Sequence, residues 1–158
     1  MKWRILTGLL MTAVCMFGQK YSGPVPGKAD LPYLLHASNL VETEAAEAKE
    51  ESGKDSIVYV IAGASSPART PLAGPVFLLL AEKIVPGNLD LYPLEVKDGR
   101  RQVTFFKNKK KQTARPRRLS VSRLGEGLFR IEVDESLENG EYSLTPSGSN
   151  RVFCFQVY

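Results

Sequence analysis

The feature that most constrains this chain is a rhythm of short apolar runs cut by turn residues, sustained from Ser56 onward. The runs at residues 56–62 (SIVYVIA), 76–84 (VFLLLAEKI), 89–96 (LDLYPLEV) and 101–106 (RQVTFF) have strand length and are rich in β-branched and aromatic residues. So do those at 119–124 (LSVSRL), 128–133 (LFRIEV), 141–144 (EYSL) and 151–158 (RVFCFQVY). Period-two alternation is plain in the fifth, where Leu119, Val121 and Arg123 oppose Ser120, Ser122 and Leu124. Pro86-Gly87-Asn88 and Gly125-Glu126-Gly127 punctuate the series, residues 63–74 form a Gly- and Pro-bearing loop, and Asp98-Gly99 is a tight hairpin signal. No stretch of helical period separates these runs, which excludes a parallel α/β sheet. At 158 residues the chain suits one domain and is too short for a barrel of eight βα units, which needs about 250. The expected fold is mainly β, an antiparallel β-sandwich of about 7–8 strands.

The N-terminal third reads differently. Lys2 and Arg4 precede an uncharged apolar run at residues 5–17 (ILTGLLMTAVCMF). This is the layout of a secretory signal peptide, and the run is shorter than the roughly 20 residues of a membrane span. Cleavage after Cys15 or Gly18 fits, and Val14 before Cys15 argues against a lipid-anchored cysteine. The chain has no Asn-x-Ser/Thr acceptor, so a bacterial exported protein is expected. Residues 19–30, with the segment to 38, read as a linker or extended arm. Residues 42–51 (ETEAAEAKEE) favour one short surface helix by composition, with Val41, Ala45 and Ala48 as its thin apolar face. Alternation through residues 40–45 leaves a strand open. The expected division is thus a signal peptide at 1–18, an arm at 19–38 and a single sandwich domain at 39–158.

Leu137-Glu138-Asn139-Gly140-Glu141-Tyr142 carries a Leu-x-x-Gly-x-Tyr pattern at a turn into a strand. It resembles the corner of secreted immunoglobulin-like and transthyretin-like sandwiches. The resemblance implies that Leu137, Gly140 and Tyr142 form a structural corner, with the tyrosine hydroxyl bonded back to the preceding loop. With Ser143 and Leu144 it covers eight residues and implies a fold, not an activity. The immunoglobulin disulfide has no material here: Cys154 alone remains after the leader, and the single tryptophan, Trp3, lies in that leader.

One histidine, His36, and one mature cysteine leave no zinc cage, and no metal or cofactor is expected. Gly63-Ala64-Ser65-Ser66-Pro67 departs from the nucleophile elbow because Pro67 stands at the second glycine, and it reads as a structural loop. Asp134, Glu135, Glu138 and Glu141 fail the EF-hand spacing and read as a solvated acidic turn. No phosphate-cradling or dinucleotide fingerprint is present. The expectation is a protein that is not an enzyme; a hydrolase built on His36 is the minor alternative.

Charge is divided sharply. Residues 97–118 hold ten basic side chains against Asp98, a net +9 in a chain of net +4, so the rest carries −5. Residues 42–55 hold six acids against two lysines. Lys107, Lys109, Lys110, Lys111, Arg115, Arg117 and Arg118 are the candidate contacts for an anionic partner: an acidic polysaccharide, lipopolysaccharide or an envelope protein. Nucleic acid is disfavoured, because only Phe105 and Phe106 flank the basic run and no aromatic side chain interleaves it. The plainer reading is a solvated loop that blunts a strand edge. The expected function is an exported, non-catalytic binding or assembly module of the cell envelope. Self-assembly by adding the N-terminal arm to a neighbour's sheet is the alternative, weakened by Pro24, Pro26 and Pro32.

Overall fold

The computed structural model describes residues 18–108, 111 and 113–158; the predicted leader up to residue 17, Lys109 and Lys110 lie outside them. Thirteen short strands run through the described residues, arranged as two antiparallel sheets in a sandwich. They are β1 (Tyr33–His36), β2 (Asn39–Glu42), β3 (Glu44–Glu47), β4 (Lys49–Ser52), β5 (Ser56–Ile61), β6 (Arg69–Thr70) and β7 (Val76–Leu80). Then come β8 (Leu89–Lys97), β9 (Arg100–Phe106), β10 (Leu119–Arg123), β11 (Leu128–Val133), β12 (Gly140–Pro146) and β13 (Arg151–Val157). The smaller sheet has the order β10-β11-β7-β1-β2; the larger runs β3-β13-β12-β8-β9-β5-β4, with β6 beside β13 in parallel.

The Asp98-Gly99 signal is realised between β8 and β9. Both residues take positive φ, +52° and +72°, the backbone that a two-residue type I′ turn demands. Between the sheets, alternate side chains of β8, β12 and β13 meet those of β7 and β11. Leu91, Leu144, Phe153, Phe155, Phe77 and Ile131 are fully buried there. Phe77 crosses to Phe155 edge-on at 5.0 Å, and Tyr142 stacks on Phe155 at 5.6 Å. The Tyr142 hydroxyl donates to the Glu138 carbonyl oxygen at 2.8 Å, while Leu137 is buried in the same cluster, so this corner is tied to the core.

The larger sheet closes on itself. Its two terminal strands, β3 and β4, are separated by Ala48 alone. Residues 44–47 pair with β13 and residues 49–52 with β5, and the Ala48 N–H donates to the Asn150 carbonyl oxygen at 2.7 Å. One extended run therefore seals the ring, which removes two free edges. Alternation then gives every strand of the ring an inward face, and a lumen results.

Three expectations are corrected. The helix expected over 42–51 is strand: closing the ring pairs residues 44–47 with β13 and residues 49–52 with β5, and Ala46 and Ala48 are small enough to face a crowded interior. The alanine-rich composition favours helix by well under 1 kcal/mol per residue, less than the pairing and packing lost by leaving the ring. The arm expected over 19–38 ends early: Ala29 bridges Leu80, and β1 lies between β2 and β7 within the smaller sheet. Leu31, Tyr33 and Leu34 are buried, and Pro32 precedes the first paired residue, where its missing N–H disrupts nothing. Asp30 locks this entry. Its carboxylate accepts from the backbone N–H groups of Glu82, Lys83 and Ile84 at 2.9–3.1 Å; burial opposes its charge, but those three donors hold it below the usual carboxylate range. Finally, the loop expected over 63–74 contains β6.

Candidate functional site

The basic stretch is a strap between the two sheets. The Phe106 N–H donates to Thr113 Oγ1 at 3.1 Å, the Ala114 N–H to the Thr104 carbonyl at 3.2 Å, and the Arg117 N–H to the Leu91 carbonyl at 2.7 Å. The strap is thus laid back along β8 and β9 before entering β10. Its described cations disperse. Lys107 donates to the Gly53 carbonyl at 2.8 Å, and Lys111 lies 5.3 Å from the Phe106 ring centroid. Arg117 pairs with Glu135 at 3.6 Å, while Arg115 and Arg118 are exposed. Arg115 and Arg117 border one outer cleft of about 400 Å³ with Gln102, Thr104 and Thr113. Arg117 and Arg118 border a second of about 470 Å³ with Leu119 and Val121.

Arg101, counted with that stretch, leaves it altogether. Arg100 faces outward to Glu51 at 3.2 Å, and its neighbour Arg101 therefore points into the closed ring, where it is fully buried. There it makes a bidentate pair with Glu44, at 2.6 and 2.9 Å, and donates to the carbonyls of Ala62 (2.7 Å) and Gly63 (2.9 Å). Glu141 stands 3.7 Å away; its Oε2 accepts the Ser66 N–H at 3.0 Å, and its Oε1 is buried with no hydrogen-bond partner among the described residues. Burial opposes the Glu44 charge, but Arg101 and Ser66 hold its carboxyl below the usual range. Ser66 also donates through Oγ to the Cys154 carbonyl at 3.2 Å, so the serine loop plugs this end of the lumen. Cys154 faces the same interior, and burial pushes its thiol up to about 12, which keeps it protonated and unreactive.

Above this plug lies an apolar collar of Ala48, Ile61, Leu94 and Val152 with Val103 against it. Beyond the collar the lumen opens into a cavity of about 340 Å³. Three aromatic side chains form its wall. Phe105 stands between Tyr92 (5.4 Å, 84°) and Tyr59 (5.9 Å, 80°), both edge-on. Next to it β12 adds hydroxyls, Ser143 beside Tyr92 and Thr145 beside Asp90, and Ser147 lines the cavity as well. Glu50 and Asp90 supply the carboxylates. Tyr59 donates to Glu50 at 3.3 Å and Ser147 to Asp90 at 3.1 Å. Burial and the nearby Asp90 raise the Tyr92 phenol, and burial and Glu50 raise that of Tyr59, so both enter neutral chemistry as hydroxyls.

Residues from β4, β5, β8, β9 and β12 meet in this cavity, and the sequence reading singled out none of them as site residues. A signal was present for part of it. In the run 101–106, Arg101 shares its face with Val103 and Phe105, and a charge on an apolar strand face announces a buried partner. Ring closure itself leaves no local mark. His36 is exposed at the end of β1, where the chain turns through Ala37 at φ +54°. Among the described residues no group of three His, Cys, Asp or Glu side chains is placed to hold a metal ion, and no helix is long and apolar enough to cross a membrane. Comparison with protein-family models, with curated proteins and with solved structures returned no match.

Proposed function

We propose that this chain is an exported, non-catalytic binding module of the cell envelope whose ligand site is the open end of the closed sheet. The observation that carries the reading is the cavity of about 340 Å³ walled by Tyr59, Tyr92 and Phe105. Its volume lies at the lower end of small-molecule sites, and it combines apolar walls with a few convergent polar groups, the composition such sites share. Export is supported by the charged start at Lys2 and Arg4 and the apolar run that follows. Absence of catalysis is supported by the neighbourhood of the cavity, where the one thiol, Cys154, sits below the collar and is held protonated. The test is a titration of the 15N-labelled chain with a set of small organic probes, alongside Thr145→Trp, which fills the cavity. Amide shifts confined to the cavity in the wild type and lost in the variant support the site. Shifts that persist in Thr145→Trp overturn it.

A second reading rests on the outer clefts beside Arg115, Arg117 and Arg118, where an acidic polysaccharide or lipopolysaccharide would find three guanidinium groups, of which Arg117 alone is ion-paired among the described residues. Retention on immobilised heparin should fall sharply in Arg115→Ala/Arg117→Ala/Arg118→Ala. Unchanged retention would remove these residues as the contact.

A further inference from the structure

The charges that face the lumen differ in sign from those on the strap outside it. Inward-facing positions of the ring carry Glu44, Glu50, Asp90 and Glu141 against one cation, Arg101. Arg101 is committed to Glu44 at 2.6 Å and to two carbonyls, and it lies below the collar. Beyond Glu44, three carboxylates remain in the lumen, of which Glu141 lies 3.7 Å from the same guanidinium. One of them, Glu141, is 4% exposed and keeps an oxygen with no partner among the described residues. The other two, Glu50 and Asp90, stand at the cavity beside the aromatic wall. Glu50 accepts from the hydroxyls of Tyr59 and Ser52, Asp90 accepts from that of Ser147, and a carboxylate has about four acceptor positions, so both retain capacity. None of the described residues lining the cavity is basic.

Resting on the cavity reading above, we propose that the ligand is a small organic cation, an amine or quaternary ammonium carrying a compact apolar body. Three physical terms converge on that chemistry. The faces of Tyr and Phe rings attract an ammonium through their quadrupole, most strongly where water is excluded. Carboxylates at the mouth add Coulomb attraction in a region of lowered dielectric. The enclosing strands bring low-dielectric walls, which focus the negative potential of the lumen towards its opening. A carboxylate or phosphate ligand would meet the opposite: repulsion from Glu50 and Asp90, with no described cation in the lining to offset it. The hydroxyls of Ser143 and Thr145 suit the polar end of such a molecule without selecting its charge.

The experiment titrates the 15N-labelled chain with three probes of one shape: benzyltrimethylammonium chloride, benzyl alcohol and sodium benzoate. The expected result is saturable shifting of the amides of Glu50, Tyr59, Tyr92 and Phe105 by the cation, about tenfold tighter than by the alcohol. Benzoate should leave them in place. Glu50→Gln/Asp90→Asn should abolish the preference for the cation over the alcohol. Because that double variant alters rim side chains only, its unfolding midpoint serves as the check on folding. Tyr92→Leu, which keeps apolar bulk and removes the ring, should weaken the cation more than the alcohol. Equal binding of cation and alcohol, or preference for benzoate, overturns the cation inference and leaves the cavity as the site. No shift of these amides with any of the three overturns both.

Discussion

The two faces of β8, β12 and β13 build two regions of opposite character. One face packs against the smaller sheet with Leu91, Leu144, Phe153 and Phe155, all fully buried and all apolar. The other face lines the ring with Asp90, Tyr92, Ser143, Thr145 and Cys154. The first region is dry, aromatic and interlocked; the second holds a buried ion cluster, a thin collar and an open cavity. The difference teaches that period-two alternation lets the same strands carry stability on one side and recognition on the other. Changes to the inter-sheet core should cost folding and spare the cavity. Changes at the mouth should do the reverse, and the plug lies between these limits.

The largest effect should come from the inter-sheet core. Phe155→Ala removes the ring that meets both Phe77 and Tyr142, and should lower unfolding stability by about 3–5 kcal/mol in urea titrations. A loss below about 1 kcal/mol would break the claim that this region carries the fold. Arg101→Met comes next. It leaves Glu44 and Glu141 inside the ring without their cation, which costs about 3–5 kcal/mol when one partner of a buried pair is removed. The cost should fall at acid pH, where Glu44 takes up a proton, and a loss that is independent of pH would argue against an electrostatic plug.

Glu44 sharpens the same point from the acid side. Its carboxyl is held below the value of about 4.3 expected in the unfolded chain, so it binds protons less readily when folded. Its contribution is present in full above that unfolded value and is lost as pH falls through the folded one. Subtracting Glu44→Gln from wild type across pH 2–6 (a range of about four units) should therefore leave a difference that shrinks towards low pH. Asp30 shifts in the same direction but is common to both proteins and cancels. The smallest effect is predicted for Glu141→Gln, within about 1 kcal/mol. The longer 3.7 Å contact with Arg101 contributes less than the Glu44 pair, and the amide keeps an oxygen to accept the Ser66 N–H.

Strand positions were largely legible because each needs only a local pattern. The alternation in 119–124 and 128–133, and the Asp98-Gly99 turn, are recognisable within a few residues. The Tyr142 bond back to Glu138 is local in the same way, spanning four residues. The cavity was not legible. Glu50 and Asp90 are forty residues apart, and Tyr59 and Phe105 are brought together by the β5–β9 pairing, whose register no local sequence specifies. The basic stretch misled for the converse reason. Charge adds along a sequence, yet neighbouring residues in a strand face opposite ways, so Arg100 and Arg101 part company into solvent and lumen.

By itself, then, the sequence determined the class of structure: short alternating runs with glycine, proline and asparagine between them leave antiparallel strands as the way to bury one face of each. Tertiary structure alone decided that the larger sheet closes. The run 44–52 has the composition of a helix, and only the simultaneous offer of two free edges, β13 on one side and β5 on the other, makes strand its lower free-energy state. That closure turns the second face of the sheet from an exposed surface into a lumen, and with it places the aromatic wall and the two carboxylates around one space.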